Sequence, residues 1–211
     1  MRNHKIVKIK RSKRYTDRII IHLDNKSVFR VSEDAFVLNP MKIGDLISDT
    51  DINVLNDKMK LHEAKDAAYR LLGFRMRSIA ELSNRLREKG YDNLEIDYVV
   101  DYLSNLNYLN DKDFGKAFVL EKVKTKRIGP LALRSEVSQH KLPLELLNKL
   151  IDDIYQQYSI SDLISFHLVK RKIVKNTVLS KKDQNRLNNY LKRKGFYWDS
   201  ILEVYNEWGI L

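Results

Sequence analysis

The apolar positions of the first fifty residues follow the period of two that is typical of β-strands. Apolar and basic residues alternate between Ile6 and Arg11, and the stretch from Arg18 to Leu23 is rich in isoleucine. The sequence Asp24-Asn25-Lys26 separates this stretch from a second alternating run, Ser27 to Val31. Two such runs around an Asx-rich turn predict a β-hairpin, to which Ile6 to Arg11 adds a third strand. Residues 1–50 are therefore predicted to form a small β-rich module.

From about position 50 onwards the apolar positions follow the period of an α-helix. Ser78 and Glu81 have the spacing of a capping box, in which a hydroxyl and a carboxylate each accept from a backbone N–H. Gly90 is placed to end that helix in left-handed backbone, and Tyr91 follows it as the usual apolar contact. Asp92 is suited to cap the next helix. This region is predicted to hold two consecutive helices joined by a Lys-Gly-aromatic sequence.

The same helical pattern occurs three times. Ser180 begins a second copy that ends with Gly195-Phe196, and between the copies lies a degenerate one that starts at Gly129-Pro130 and has Lys141-Leu142 at its end. One further helix precedes each copy, at Leu61 to Gly73, Asp111 to Lys124 and Ser161 to Val174. The predicted unit is therefore about 50 residues long and contains three helices. When such units stack, they bury the apolar faces that a single unit leaves exposed.

These patterns predict a mainly α fold, with tandem three-helix repeats in an elongated curved array and a small β-rich N-terminal module. The expected boundaries are 1–50 for the module, 51–109 for repeat 1, 110–158 for repeat 2 and 159–211 for repeat 3.

The composition is strongly basic. Lys and Arg number 39 against 28 Asp and Glu, which gives a formal charge of +11. Such an excess attracts polyanions over a long range. No cysteine is present, so disulfides and thiolate metal sites are excluded. The most apolar run, Ile19 to Ile21, is too short to span a bilayer. We expect a monomeric protein of the cytoplasm without membrane segments.

The positive charge is concentrated in a few stretches that contain almost no acids. Residues 1–14, 122–127 and 170–194 are the main ones, with Asp183 the one acid among them, and basic residues also precede Gly90. Unmixed charge favours contact with phosphates or with an acidic protein groove over a solvated surface. The candidate binding residues are Arg85, Arg87, Lys89, Lys122, Lys124, Lys126, Arg127, Lys170, Arg171, Lys172, Lys175, Lys192, Arg193 and Lys194. Tyr197 or Trp198 is a candidate for stacking on unpaired bases, although core packing is the simpler explanation of aromatics there.

Signs of catalysis are weak. The five histidines show no paired metal-binding spacing, and the glycines form neither a dinucleotide fingerprint nor a P-loop. The acidic residues Asp97, Asp101, Asp111 and Asp113 are the one group that suggests a two-metal nuclease. We expect a protein that is not an enzyme and has no catalytic residues, bound metal or cofactor.

One combination of residues resembles the RecX family, which are bacterial regulators of the RecA recombinase. The residues that carry the resemblance are Ser78-x-x-Glu81-Leu82, Arg85-Leu86, Lys89-Gly90-Tyr91, Tyr108-Leu109-Asn110-Asp111, Phe114 and Gly129-Pro130. Two positions depart from the family pattern: His140-Lys141-Leu142 lacks a glycine, and Gly115 stands where alanine is common.

The resemblance implies a helical array that lies along the groove of a RecA–DNA filament. There it would restrain strand exchange, ATPase activity and the co-protease activity that triggers the SOS response, and so act in DNA repair and recombination. The implied partners are the RecA filament and single- or double-stranded DNA. A protein that binds DNA without RecA through the same basic concave surface is the alternative, and a nuclease using the acidic residues is a further one.

Overall fold

The computed structural model describes residues 2–13 and 17–210. Within them lie four strands and ten helices. The strands are β1 (Asn3–Arg11), β2 (Arg18–Leu23), β3 (Val28–Ser32) and β4 (Leu46–Ser48). The helices are α1 (Glu33–Leu38), α2 (Asp49–Phe74), α3 (Ile79–Glu88), α4 (Asn93–Asn105), α5 (Asp111–Lys126), α6 (Pro130–Ser138), α7 (Leu144–Gln157), α8 (Ile160–Lys170), α9 (Lys181–Arg193) and α10 (Trp198–Trp208). The fold is thus mainly α with a small N-terminal β-sheet, as predicted.

The chain divides into two compact units. Unit 1 contains the residues up to Arg75 together with Leu82–Tyr108, and unit 2 contains Met76–Glu81 together with the residues from Leu109 onwards. The β-sheet, α1, α2, α4 and most of α3 therefore belong to unit 1, whereas the first turn of α3 and the helices α5 to α10 belong to unit 2.

The sheet of unit 1 is antiparallel and has the strand order β3-β2-β1-β4. The predicted hairpin is confirmed, with Ile21 opposite Phe29, and the predicted third strand pairs with β2. The fourth strand, β4, was not predicted because three residues are too few to show a period. The side chains that form the sheet's core are Ile6, Ile19, Ile21, Leu23, Phe29, Val31 and Ile47.

Helix α2 is longer than the sequence predicts. It begins at Asp49, where Ser48 accepts a hydrogen bond from the Asp51 backbone N–H, and not at Leu61. Its first turns place Ile52 and Leu55 against the core of the sheet, whereas later turns pack on α4. Because the apolar side chains of α2 pack against the sheet in one part and against α4 in another, they form no single apolar stripe along the helix. The prediction of the helix start at Leu61 was therefore wrong.

The ends of the middle helices in repeats 1 and 3 are confirmed. Gly90 has φ +91° and Gly195 has φ +86°, so both adopt left-handed backbone. In each case the next residue donates back to the helix, Tyr91 to the Leu86 carbonyl and Phe196 to the Leu191 carbonyl, both at 3.3 Å. In the degenerate copy, Lys141 takes the left-handed conformation, with φ +53°.

Helix α8 is shorter than predicted. It ends at Lys170 instead of Val174, because Lys172 is left-handed with φ +59° and the Ile173 N–H returns to the Leu168 carbonyl at 3.0 Å. Without a glycine at this position, the sequence carries no sign of the helix end.

The core of unit 2 is formed by α5 to α10, with Leu133, Ile164, Leu191 and Tyr205 almost wholly buried. Gly115 is part of this packing. A Cβ atom there would lie 2.4 Å from Leu150 Cδ1, so the departure from alanine allows α5 and α7 to approach closely.

Candidate functional site at three helix ends

The basic residues predicted in unit 1 follow one another at the end of α3. Arg85, Arg87 and Lys89 are exposed. Arg85 pairs with Glu88 at 2.7 Å, and Arg87 donates to Asn84 at 3.0 Å. This surface carries both signs of charge and is therefore less positive than the sequence indicates.

In unit 2, the stretch 122–127 is partly neutralised. Glu136 accepts from Lys126 at 2.8 Å and lies 3.6 Å from Lys122. Burial alone would raise the pKa of Glu136, but the two lysines hold it below its usual value. Lys122 and Lys126 therefore serve a local ion-pair network, and Lys124 remains exposed.

Three of the remaining basic residues directly follow the ends of α5, α8 and α9. Arg127 follows α5 in left-handed backbone, and its guanidinium lies 5.3 Å from the centre of the Phe166 ring. Arg171 follows α8 and lies 3.7 Å from the centre of the Tyr190 ring. Lys194 follows α9 and lies 5.9 Å from that ring. Three stretches that are far apart in the sequence thus meet around two aromatic side chains.

His167 lies at the centre of this arrangement with 2% of its surface exposed. Its Nε2 is 2.7 Å from the Arg127 carbonyl oxygen, and its Nδ1 is 2.9 Å from the Tyr190 hydroxyl. Because a carbonyl only accepts, Nε2 carries the proton and Nδ1 accepts from the Tyr190 hydroxyl. The hydrogen bonds hold the carboxyl end of α5 and the Tyr190 ring in place, and that ring carries Arg171 on its face.

The field around His167 is positive. Burial lowers the pKa of His167 most strongly, the hydrogen bond to the Arg127 carbonyl opposes this effect, and the charges of Lys194, Lys170 and Arg171 lower it further. The imidazole is therefore neutral near pH 7, and its two ring nitrogens act as a fixed donor and a fixed acceptor.

We call Arg127, Lys170, Arg171 and Lys194 the helix-end cluster. In the part of the chain that the structure describes, no carboxylate lies within 4.0 Å of their charged groups, in contrast to Lys122, Lys126 and Arg85. Basic residues at helix ends also offset the macrodipole, by about 0.3–1 kcal/mol each. That effect explains each basic residue separately, but it does not require three helix ends to meet. Unpaired cations on aromatic faces are suited to bind phosphate.

The other predicted basic residues of unit 2 lie outside this cluster. Lys175 lies 5.3 Å from the centre of the Trp208 ring and Lys192 lies 5.1 Å from that of Trp198. Lys172 and Arg193 are exposed. Trp198 is 40% exposed and Tyr197 is 48% exposed, so both rings remain accessible to a flat ligand.

The acidic residues considered for a nuclease have other surroundings. Asp97 and Asp101 are exposed on α4 in unit 1, whereas Asp111 and Asp113 belong to unit 2. Burial raises the pKa of Asp111, and this carboxylate accepts from the Ile79 backbone N–H at 2.8 Å. Asp111 thus caps the start of α3, a structural role.

A possible metal-binding group that the sequence did not suggest is Asp17, His62 and Asp66 in unit 1. The guanidinium of Arg18 lies 3.9 Å from both Asp17 and Asp66 and 2.6 Å from Glu63. A positive charge that balances these acids is therefore already in place, which disfavours a divalent cation.

No helix among residues 2–13 and 17–210 is both long enough and apolar enough to cross a membrane.

Sequence reasoning missed His167 and Tyr190. His167 follows Leu163 and Ile164 at helical spacing, so the period of α8 places it inside the core. A histidine on an apolar helix face next to a basic segment is the signal that indicates it.

Comparison with known proteins gives a consistent result. A family model described as the first three-helix domain of RecX matches residues 64–103. The regulatory protein RecX of Bacillus velezensis is 30% identical over 197 residues, which cover 93% of this chain and 74% of that protein. The regulatory protein RecX of Clostridium botulinum strain Alaska E43 is 25% identical over 207 residues, which cover 96% of this chain and 95% of that protein.

Two solved structures share the fold. A crystal structure of regulatory protein RecX has a TM-score of 0.69 and 20% identity, and covers 96% of this chain and 99% of its own. The crystal structure of RecX from Lactobacillus salivarius has a TM-score of 0.61 and 19% identity, and the match covers 71% of this chain and 97% of that structure's chain.

Proposed function

The chain belongs to the RecX family of regulatory proteins, and from this membership we propose that it regulates the RecA recombinase by binding the RecA–DNA filament. Bound there, it restrains strand exchange, ATPase activity and the co-protease activity of the SOS response. It acts in the cytoplasm as a monomer, without a cofactor and without catalysis of its own.

The helix-end cluster is the observation that carries this proposal. Among the residues that the structure describes, its cations have no acidic partner within 4.0 Å, and they lie on a support formed by His167, Tyr190 and the ends of three helices. A preorganised group of positive charges loses little side-chain entropy when it meets a phosphate or a carboxylate. A nucleoprotein filament offers both kinds of anion.

A filament also repeats its contacts along its length. Basic residues precede the left-handed glycine in repeat 1 and in repeat 3, so the chain offers the same motif twice. Weak contacts that are linked in one chain gain through effective concentration. Loss of one basic group is therefore expected to weaken filament binding by more than its own charges account for.

The test is RecA ATPase activity on single-stranded DNA, titrated with this protein. The triple variant Arg127→Gln, Arg171→Gln, Lys194→Gln is expected to require about tenfold or more protein for the same inhibition, a free-energy difference of about 1.4 kcal/mol. The control is Lys122→Gln, Lys124→Gln, Lys126→Gln, which removes the same charge but includes the two lysines paired with Glu136. Equal effects of the two triple variants would show that net charge, and not the helix-end cluster, mediates binding.

Binding to DNA without RecA is the second candidate function. The position of Lys192 beside the accessible Trp198 ring favours it, because single-stranded DNA binds to basic grooves whose aromatic side chains stack on the bases. Affinities for naked single strands and for filaments distinguish the two, and comparable values would favour the second candidate. Three phosphate contacts on a single strand contribute about 2 to the slope of log affinity against log salt. Metal-dependent DNA cleavage that Asp111→Ala abolishes would instead identify an enzyme.

A further inference from the structure

A groove of about 470 Å³ lies in unit 1 beside strand β4. None of the residues that line it takes part in the function proposed above. Its lining residues are Ile6, Asn39, Met41, Asp45, Leu46, Ile47, Asp51, Val54 and Leu55. The lining thus combines apolar side chains from β4 and α2 with two carboxylates.

Strand β4 is an edge of the sheet and pairs with β1. The Ile6 N–H donates to the Asp45 carbonyl at 2.9 Å, and the Asp49 N–H donates to the Arg2 carbonyl at 3.2 Å. In an antiparallel ladder every second residue bonds to the partner strand. The N–H and C=O of Leu46 therefore point away from β1. Lys5, the residue opposite Leu46 on β1, likewise points its backbone away from β4, and its carbonyl accepts from the Asp24 N–H at 3.0 Å. Within the described residues, no bond of the Leu46 backbone is formed outside the sheet.

The side chains beside this free edge are apolar and uncovered. Leu46 is 68% exposed and Val54 on α2 is 48% exposed, while Met41 and Leu55 are partly buried below them. Adjacent exposed apolar side chains on a soluble fold are a sign of an interaction site. A strand laid along β4 would cover them and satisfy the Leu46 backbone at the same time.

The charge of the groove selects the occupant. Asp45 and Asp51 line it and Asp49 lies between them in sequence, although the whole chain carries +11. The start of α2 accounts for Asp49 and Asp51 through the macrodipole, whereas Asp45 lies outside that helix and uses one carboxylate oxygen, Oδ2, to accept from the Lys42 N–H at 2.7 Å. Two copies of this chain paired edge to edge would bring these carboxylates together, which disfavours self-association. A basic segment is the complementary occupant.

We propose that unit 1 binds an extended, basic segment of a protein partner, which adds to the sheet as a strand beside β4. Its backbone exchanges hydrogen bonds with Leu46, alternate apolar side chains enter the groove, and Lys or Arg side chains meet Asp45 and Asp51. This is the β-augmentation mode of peptide recognition. It concerns a protein ligand in unit 1 and does not depend on the binding of a filament by the helix-end cluster.

The test uses the full chain and a fluorescein-labelled peptide, Arg-Val-Thr-Val-Lys, followed by fluorescence anisotropy at low salt. Leu46→Pro removes the outward N–H at an edge position where proline is tolerated. Val54→Lys places a positive charge in the groove and keeps the backbone intact. Both variants are expected to bind the peptide about tenfold more weakly or worse. The control Val178→Lys, at an exposed valine of unit 2, is expected to bind like wild type.

The peptide chemistry has its own control. Replacement of its Arg and Lys by Glu is expected to weaken binding by about tenfold or more, because the carboxylates of the groove then repel it. The proposal is overturned if no peptide binds saturably below about 1 mM, or if Val54→Lys binds like wild type. It is equally overturned if the chain dimerises and Leu46→Pro makes it monomeric, since the free edge would then serve self-pairing.

Discussion

Substitution of Gly195 by alanine is expected to destabilise the protein much more than the same change at Gly90. Both residues have nearly the same left-handed φ, +86° and +91°. A Cβ atom at Gly90 meets nothing within 4 Å, whereas one at Gly195 would lie 2.2 Å from the Ala132 backbone nitrogen and 2.5 Å from its Cβ. The pair therefore separates the cost of backbone conformation from the cost of close approach.

The expected magnitudes follow from these contacts. Alanine in left-handed backbone costs about 1–2 kcal/mol, which is the whole effect expected for Gly90→Ala. At Gly195 the overlap with a backbone nitrogen cannot be relieved by a side-chain rotation, and overpacking adds about 1–3 kcal/mol. The close contact between the two segments includes two backbone hydrogen bonds. The Leu131 N–H donates to the Gly195 carbonyl at 3.0 Å, and the Gly129 N–H donates to the Lys194 carbonyl at 2.8 Å. Their distortion brings the expected loss for Gly195→Ala to about 3–5 kcal/mol.

Urea unfolding measures the difference. Both tryptophans, Trp198 and Trp208, lie in unit 2, so their fluorescence follows the unit that contains Gly195, while far-UV circular dichroism follows the whole chain. Gly90→Ala serves as the matched control, and because Gly90 lies in unit 1, its loss is read from the circular dichroism transition. Equal losses in the two variants would refute the role of the Ala132 contact, and no loss in either would refute the left-handed helix ends.

Two further predictions concern the two units. A chain that begins at Asp51 should keep the fluorescence transition of unit 2, because none of the described residues before Asp51 belongs to that unit's core. It should lose helical ellipticity, because Ile52 and Leu55 lose their contacts with the sheet; loss of the fluorescence transition would contradict the prediction. The second prediction concerns pH. Because burial lowers the pKa of His167, the unfolded chain takes up this proton at a higher pH than the folded chain. The contribution of His167 to the free energy of unfolding is therefore complete above about pH 6.5 and decreases below it. Between about pH 7.5 and 5.5, unit 2 of the wild type should lose more stability than His167→Gln, and equal losses would contradict the prediction.

The helices and their order are determined by the sequence to a large extent, because the signals are local. Gly90, Gly195 and the cap Asp92 act within one or two turns, and the structure has Asp92 in a reciprocal capping box with Glu95. The similarity of three segments then indicates a repeat without knowledge of any tertiary contact. The same reasoning fails at α8, because Lys172 is left-handed without being glycine and its conformation depends on the surrounding structure.

The candidate site depends on tertiary structure. A list of basic residues does not show that Glu136 neutralises Lys122 and Lys126, since an ion pair between helices has no sequence spacing. Nor does it show that Arg127 and Arg171 meet around His167.

Charge and period are properties of the sequence, and they are enough to predict a basic, helical, repeated protein. Which charges remain unpaired, and which of them share one surface, is decided when α5, α8 and α9 pack. The reason is physical: a cap or a helix period involves neighbours a few residues apart, whereas an electrostatic potential is the sum over groups that only the folded chain brings together.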